Sequence, residues 1–231
     1  MPRRDGARDS IRATRTKPVH ATLRCRKDPL LMPNLRWTAP PEITGLIFDC
    51  DGTLADTMPA HFRAWTAMLA PFGIPFPEPR FYAMGGMPTA QIIRVLAADA
   101  GVAVDDVEAM VLAKERLFLQ FLDALEPIEP VVAIAAAYRG RLPMAVASGG
   151  YRAVVTQTLQ RIGVLDWFQT LVAAEDTTRH KPEPDVFLAA ARRIGVPAAQ
   201  CAVFEDTDLG MEAARRAGMV GVDVRMWLGK G

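Results

Sequence analysis

Leu46-Ile47-Phe48-Asp49-Cys50-Asp51-Gly52-Thr53-Leu54 is the stretch on which the reading of this chain turns. With Ile43 just upstream, Leu46, Ile47 and Phe48 make an apolar run too short for a helix, which predicts a buried strand. The run stops at two carboxylates. Asp49 and Asp51 are two residues apart, so near a strand end their side chains leave on the same side. Two acids placed together repel, and the arrangement holds only with a cation between them or a proton on one. Gly52 then permits a sharp turn. Alone, the segment also fits a plain Asp-Gly turn leaving a strand.

The pattern downstream decides against the plain turn. Residues 59–70 read as a helix with Phe62, Trp65, Ala67 and Leu69 on a partly apolar face, and Pro71 to Pro79 breaks it. Further helices are expected over 88–100 (Ile92, Ile93, Val95, Leu96) and 105–122 (Val107, Met110, Val111, Leu117, Phe118). Glu126-Pro-Ile-Glu-Pro130 interrupts again, and strand–helix alternation follows. Strands are expected at 142–147, 169–174, 201–205 and 219–224, and helices at 131–139, 151–162, 184–195 and 208–217. Such alternation predicts an α/β fold, a doubly wound parallel sheet with helices on both faces. The all-helical stretch after the first strand reads as an inserted domain. The expected division is an N-terminal extension over 1–41, a core domain of 42–57 and 127–231, and a helical insert of 58–126.

The chain has 231 residues, 50% hydrophobic and 23% charged, which is globular material with enough for a core. Its longest apolar run, Val131 to Tyr138, is far too short to span a bilayer, and no membrane partner is expected. The first thirty residues lack an apolar stretch of signal-peptide length. Cys25, Cys50 and Cys201 form no metal-type spacing; with Cys50 and Cys201 in or beside strands, a reducing, cytoplasmic setting is expected. Charge is uneven. Residues 1–36 hold ten Lys/Arg against three Asp, which leaves 17 basic and 23 acidic residues, a net of −6, in the remainder. This basic segment lacks apolar periodicity and reads as a disordered extension, with Met32 as an alternative start. Asp5, Asp9 and Asp28 weaken a targeting peptide, and no aromatic or motif supports a nucleic-acid arm. Nucleic acid is not an expected partner.

In open α/β sheets, ligands bind beyond the carboxyl ends of the strands. Four expected strand ends here carry functional groups: Asp49 and Asp51; Ser148-Gly149-Gly150; the loop with Lys181; and Glu205-Asp206. The set describes one cleft with an all-oxygen site suited to Mg²⁺, a hydroxyl with glycine amides for an anion, and one compact cation. A carboxylate beside Mg²⁺ and a lysine can attack phosphorus, while a second carboxylate protonates the leaving alcohol and later activates water.

Four segments together carry a family resemblance: Asp49-Cys-Asp-Gly-Thr-Leu, Ala147-Ser148-Gly149, Lys181-Pro-Glu-Pro-Asp, and Phe204-Glu-Asp-Thr-Asp-Leu-Gly210. From about residue 42 onward the chain resembles the haloacid dehalogenase-like hydrolase superfamily, in the branch with a helical cap after the first strand. The resemblance implies a Rossmann-like core and a Mg²⁺-dependent phosphatase. It implies Asp49 as nucleophile, Asp51 as acid/base, and Ser148 and Lys181 as holders of the phosphoryl group. Mg²⁺ would be held by Asp49, Asp206, the Asp51 backbone carbonyl, and Glu205 through water. Asp51 argues against dehalogenation, because the dehalogenases of the superfamily lack that second acid.

Asp56-Thr57-Met-Pro-Ala-His61-Phe-Arg-Ala-Trp65 is similar to β-phosphoglucomutase, in which the matching histidine and threonine help position the general acid. Gly85-Gly-Met-Pro-Thr89, Arg141 to Val146, His180 to Asp185 and Cys201 through Arg225 are similar to the bacterial fructose-1-phosphate and 6-phosphogluconate phosphatases. A mutase needs a cation in the cap for a distal phosphate. The position of that arginine is Pro88 here, although Arg152 or Arg94 could substitute. The expectation is therefore a monomeric phosphatase of a small phosphorylated sugar, with a mutase as the alternative. Thr57, His61, Gly85, Gly86, Gly149 and Arg152 are expected to bind substrate.

Overall fold

The computed structural model describes residues 35–228. The readings of residues 1–34 lie outside the described residues. Five short strands, β1 (Gly45–Phe48), β4 (Met144–Ala147), β5 (Thr170–Val172), β6 (Cys201–Glu205) and β7 (Val220–Asp223), form one sheet in the order β5-β4-β1-β6-β7. Every neighbouring pair is parallel, with Phe48 level with both Val146 and Phe204. β1 lies at the centre, so both its faces are covered and all four of its residues are buried. Side chains alternate across it. Leu46 and Phe48 join the cluster under α5 (Glu129–Tyr138) and α6 (Arg152–Arg161), and Ile47 joins the one under α7 (Asp185–Ile194) and α8 (Asp208–Arg216). The sheet is the doubly wound parallel arrangement that the alternation predicted.

Between β1 and α5 the chain leaves the sheet. A two-stranded antiparallel ribbon, β2 (Ala55–Asp56) with β3 (Glu126–Pro127), pairs the outgoing and returning segments. Beyond it lie α1 (Met58–Leu69), α2 (Glu78–Ala83), α3 (Thr89–Ala100) and α4 (Val107–Leu119). These helices bury their own cluster, including Trp65, Met68, Phe81, Ile93, Leu96 and Val111. The apolar face of α1 is rotated from the expected one: Met68 is buried and Ala67 exposed. The ribbon and α2 were not expected. α2 starts inside the proline-rich break because Pro79 occupies its first turn, where a missing N–H costs nothing. Pro130 does the same for α5, which starts at Glu129, ahead of the expected 131.

The expected extension over 1–41 runs too far. Leu35, Trp37 and Ala39 pack on the core, with Trp37 edge-on to Tyr138 at 6.1 Å and to Phe204 at 5.1 Å between centroids. The Ala39 N–H donates to Tyr138 Oη at 2.7 Å. Burial of an aromatic ring outweighs the basic character of the neighbouring segment. Among the described residues, no helix is long and apolar enough to cross a membrane.

Candidate active site

The carboxyl ends of β1, β4 and β6 and the loop after β5 converge as expected. Asp49, the first residue beyond β1, is 4% exposed. Lys181 Nζ donates to Asp49 Oδ1 at 2.7 Å and to Glu205 Oε2 at 2.6 Å. The other Glu205 oxygen accepts from the N–H groups of Asp206 and Thr207 and from Thr207 Oγ1. Glu205 is thus pinned by its own loop. Thr207 also caps α8 by accepting from Gly210 N–H at 3.0 Å. Asp206 accepts from Thr53 Oγ1 at 3.0 Å. Asp49, Glu205 and Asp206 each bring a carboxylate oxygen within 4.8 Å of one another.

Two glycines make this crowding possible. Gly52 has φ +77°, and a Cβ there would lie 2.2 Å from Asp206 Oδ2. At Gly210 a Cβ would lie 2.0 Å from Glu205 Cδ. Neither position has room for a side chain, so both motif glycines are spaces that the acids fill.

Burial pushes the Asp49 carboxyl well above its ordinary range, with Lys181 opposing and the neighbouring acids adding. Burial and Glu205 likewise raise Asp206 to about 7, against Thr53 and Lys181. For Lys181, burial would favour the neutral amine, but Asp49 and Glu205 outweigh it and hold the ammonium. Acids this crowded ask for a cation, and the all-oxygen donor set fits Mg²⁺.

The second half of the site comes from the insert. His61 on α1 and Lys114 on α4 form a chain with Asp51: His61 Nε2 lies 3.2 Å from Asp51 Oδ1, and Lys114 Nζ lies 2.9 Å from His61 Nδ1. An ammonium can only donate, so Nδ1 accepts and the ring proton sits on Nε2, facing Asp51. Burial and Lys114 push His61 below its ordinary value, in keeping with a neutral ring. For Asp51 burial alone would raise the pKa, but the pull of His61, with Thr57 and Lys114, lowers it to about 2. Thr57, expected to bind substrate, is fully buried and lines neither cavity; its hydroxyl acts on Asp51 instead. Lys114, 4% exposed, lies over Trp65 and Phe118 and donates to Glu115 Oε1 at 3.1 Å.

A cavity of about 130 Å³ lies between these halves. Asp49, Asp51, His61, Gly85, Gly86, Ser148, Gly149, Lys181, Glu205 and Asp206 all line it, so most expected site residues are brought together. Ser148 Oγ accepts from Gly150 N–H at 3.0 Å in the turn before α6. Gly86, at φ +82°, passes so close to Thr207 that a Cβ would be 3.3 Å from its Oγ1; this loop is where the insert meets the core. A larger cavity of about 1080 Å³ adjoins, sharing Gly85, Met87, Lys181, Asp206 and Thr207.

Arg152 is not brought into the cleft. Its guanidinium turns away to Leu171 O at 3.1 Å and to Asp176, and it lines neither cavity. The short reach from the α6 N-terminus to Asp176 offers it a better partner than the cleft. Arg94, exposed on α3, lines neither cavity. Thr53, Lys114, Glu115 and Thr207 were not foreseen. Lys114 left one trace: it follows Met110 and precedes Phe118 at a spacing of four, a charge in the buried stripe of a helix.

A family model for haloacid dehalogenase-like hydrolases matches residues 43–218. The chain belongs to this family. Two relatives are a fructose-1-phosphate phosphatase, YqaB, of Escherichia coli (strain K12), and a 6-phosphogluconate phosphatase of the same organism. The first is 40% identical over 79% of this chain and 96% of its own, the second 30% identical over 77% and 80%. A solved hydrolase from Pseudomonas syringae is similar at TM-score 0.70 and 28% identity, over 78% of this chain and 84% of that one. In this haloacid dehalogenase-like hydrolase the four motif segments bound the inner cavity from the core side, and the insert supplies the opposite wall.

Proposed function

We propose that the chain is a Mg²⁺-dependent phosphatase of small sugar phosphates, working through an aspartyl-phosphate on Asp49. One observation carries the reading: the ammonium of Lys181 lies against Asp49, at 2.7 Å, in the cavity that also holds Asp51 and its histidine. The relatives' sugar phosphate chemistry supports the substrate class.

Mg²⁺ would be held by Asp49 and Asp206 with the Asp51 carbonyl, and Glu205 would orient the set from behind because both its oxygens are engaged. When bound, the ion offsets charge on the transferring phosphoryl group and returns the raised Asp49 and Asp206 to carboxylates. Asp49 attacks phosphorus as the ester P–O bond breaks. Lys181 and the Ser148 hydroxyl steady the phosphoryl oxygens. Asp51 gives a proton to the leaving oxygen; the arriving dianion raises its proton affinity from the resting value. Asp51 then takes a proton from the water that attacks the acyl phosphate, freeing Asp49 and inorganic phosphate. The helical insert acts as a cap that closes over this sequence and excludes bulk water.

A mutase would need a cation for a second phosphate. Pro88 lines the outer cavity with no charge, Arg152 and Arg94 line neither cavity, and Arg225 is already held by Asp208 and Asp223. Water is therefore the acceptor. The buried free thiols of Cys50 and Cys201 fit a reducing, cytoplasmic setting. The test is phosphate release with Mg²⁺ over a sugar phosphate panel, beside β-glucose 1-phosphate assayed for glucose 6-phosphate. Rapid phosphate release is expected; glucose 6-phosphate with little free phosphate would establish the mutase instead.

A further inference from the structure

The walls facing the leaving group carry an excess of negative charge. In the inner cavity the Lys114 ammonium and the Glu115 carboxylate of the insert look across at Asp51 on the core side, two carboxylates for one cation. Lys114 is already engaged by His61 and Glu115. The inner cavity, about 130 Å³, is too tight for a whole sugar phosphate, so the sugar extends toward the larger one. There Asp56, Glu126 and Asp208 face Arg225, which is bound by Asp208 at 2.8 Å and Asp223 at 2.7 Å. Among the described residues of both cavities, every lysine and arginine has an acidic partner within the protein.

Glu115 stands out in this wall. Its Oε1 is fixed by Lys114, and its Oε2, which accepts from no group among the described residues, is left accessible. Its side chain keeps 12% exposure and lines the inner cavity. A half-satisfied, immobilised carboxylate is an acceptor for a hydroxyl and a repellent for another anion.

We propose that Glu115 selects the leaving group: it accepts a hydrogen bond from a sugar hydroxyl and repels a carboxylate or a second phosphate. The enzyme then takes monophosphates of uncharged sugars and polyols. This rests on the phosphatase reading and narrows it, because the relatives named above include one acting on a neutral sugar and one on a sugar acid. Like charges a few ångströms apart in a half-buried site are little screened, so the discrimination is at least about tenfold.

The test is kcat/KM for fructose 1-phosphate, 6-phosphogluconate, fructose 1,6-bisphosphate and p-nitrophenyl phosphate at constant ionic strength. Wild type is compared with Glu115→Gln, which keeps the shape and an oxygen for Lys114. Wild type is expected to favour fructose 1-phosphate over both anionic sugars by about tenfold or more, and Glu115→Gln to close most of that gap through KM of the anionic substrates. A purely structural role would lower all four together and leave the ratios in place. Equal turnover of 6-phosphogluconate and fructose 1-phosphate by wild type overturns the inference even if the variant fails to fold, and so do unchanged ratios in a folded variant. No phosphate from any ester, p-nitrophenyl phosphate included, overturns the phosphatase reading and the inference with it; release without discrimination overturns the inference alone.

Discussion

The two walls of the cavity are built in opposite ways. On the core side, Asp49, Glu205, Asp206 and Lys181 sit at strand ends or in the loop after one, and backbone amides, Thr53 and two space-giving glycines hold them. On the insert side, His61, Lys114 and Glu115 project from two helices and are held by side chains alone, against the rings of Trp65 and Phe118. The first wall is a property of the backbone and the second a property of packing. On the proposed mechanism, bond-making falls to the rigid half, and positioning of the Asp51 proton and substrate choice to the half that can be repacked.

The comparison breaks first at Asp49. Asp49→Asn removes the attacking oxygen and is expected to lower kcat by on the order of 10⁴-fold or more, with circular dichroism unchanged. Appreciable residual turnover, or a covalent phosphoenzyme in that variant by intact mass, would mean that the rigid wall does not supply the nucleophile.

Next come the glycines. Gly52→Ala puts a Cβ 2.2 Å from Asp206 Oδ2, so Mg²⁺ binding by calorimetry is expected to weaken by about a hundredfold, the upper end for a lost orienting contact. Gly101, at φ +65° with nothing within 4 Å, is the control. Gly101→Ala should cost about 1 kcal/mol of backbone strain and leave activity intact. Similar activity losses at both positions would erase the distinction between a glycine needed for its neighbours and one needed for its conformation.

On the softer wall, His61→Gln or Lys114→Met is expected to reduce kcat by about 10- to 100-fold, part of what acid–base catalysis contributes. Both groups pull the Asp51 pKa down, so the acidic limb of the pH–rate profile should move to higher pH in either variant. A limb that stays in place would separate this chain of contacts from Asp51.

Metal binding has its own pH signature. Asp206 is raised to about 7, and its proton competes with the ion, so Mg²⁺ affinity should climb as pH rises through about 7 and level above it. Below that point the gain approaches about tenfold per pH unit. Since the folded value exceeds the unfolded one, the metal-free protein should lose stability between about pH 4 and 7, and added Mg²⁺ should restore it. Flat affinity from pH 6 to 8 by calorimetry would show that Asp206 is ionised before the ion arrives. The smallest effect belongs to Arg152. Its exposed pair with Asp176 faces away from the cleft, so Arg152→Ala should change kcat/KM by less than about twofold. A larger loss would restore it as a substrate contact.

The rigid wall was legible because its chemistry is contiguous. Asp49 to Leu54 and Phe204 to Gly210 each place acids, glycine and hydroxyl within a few residues, and a strand end converts that spacing into geometry. The helical wall was not, because His61 and Lys114 meet across 53 positions through an interhelical contact that no local pattern encodes. Arg152 was misplaced for a related reason. Its position close after Ser148 suggests the cleft, while its partners Leu171 and Asp176 come from β5 and the turn after it. The β2–β3 ribbon escaped notice because two residues per strand leave no periodicity to read.

That ribbon has a consequence for how such proteins diversify. The outgoing and returning segments cross side by side, Ala55 against Pro127 and Asp56 against Glu126. Everything between them is attached at a single junction, so a different helical module could be spliced in there without disturbing a strand of the sheet. Gene-level exchange at this seam would change which molecules are recognised while inheriting the reaction unaltered. One ancestral catalyst can in this way found a lineage of enzymes that differ in appetite and share a mechanism.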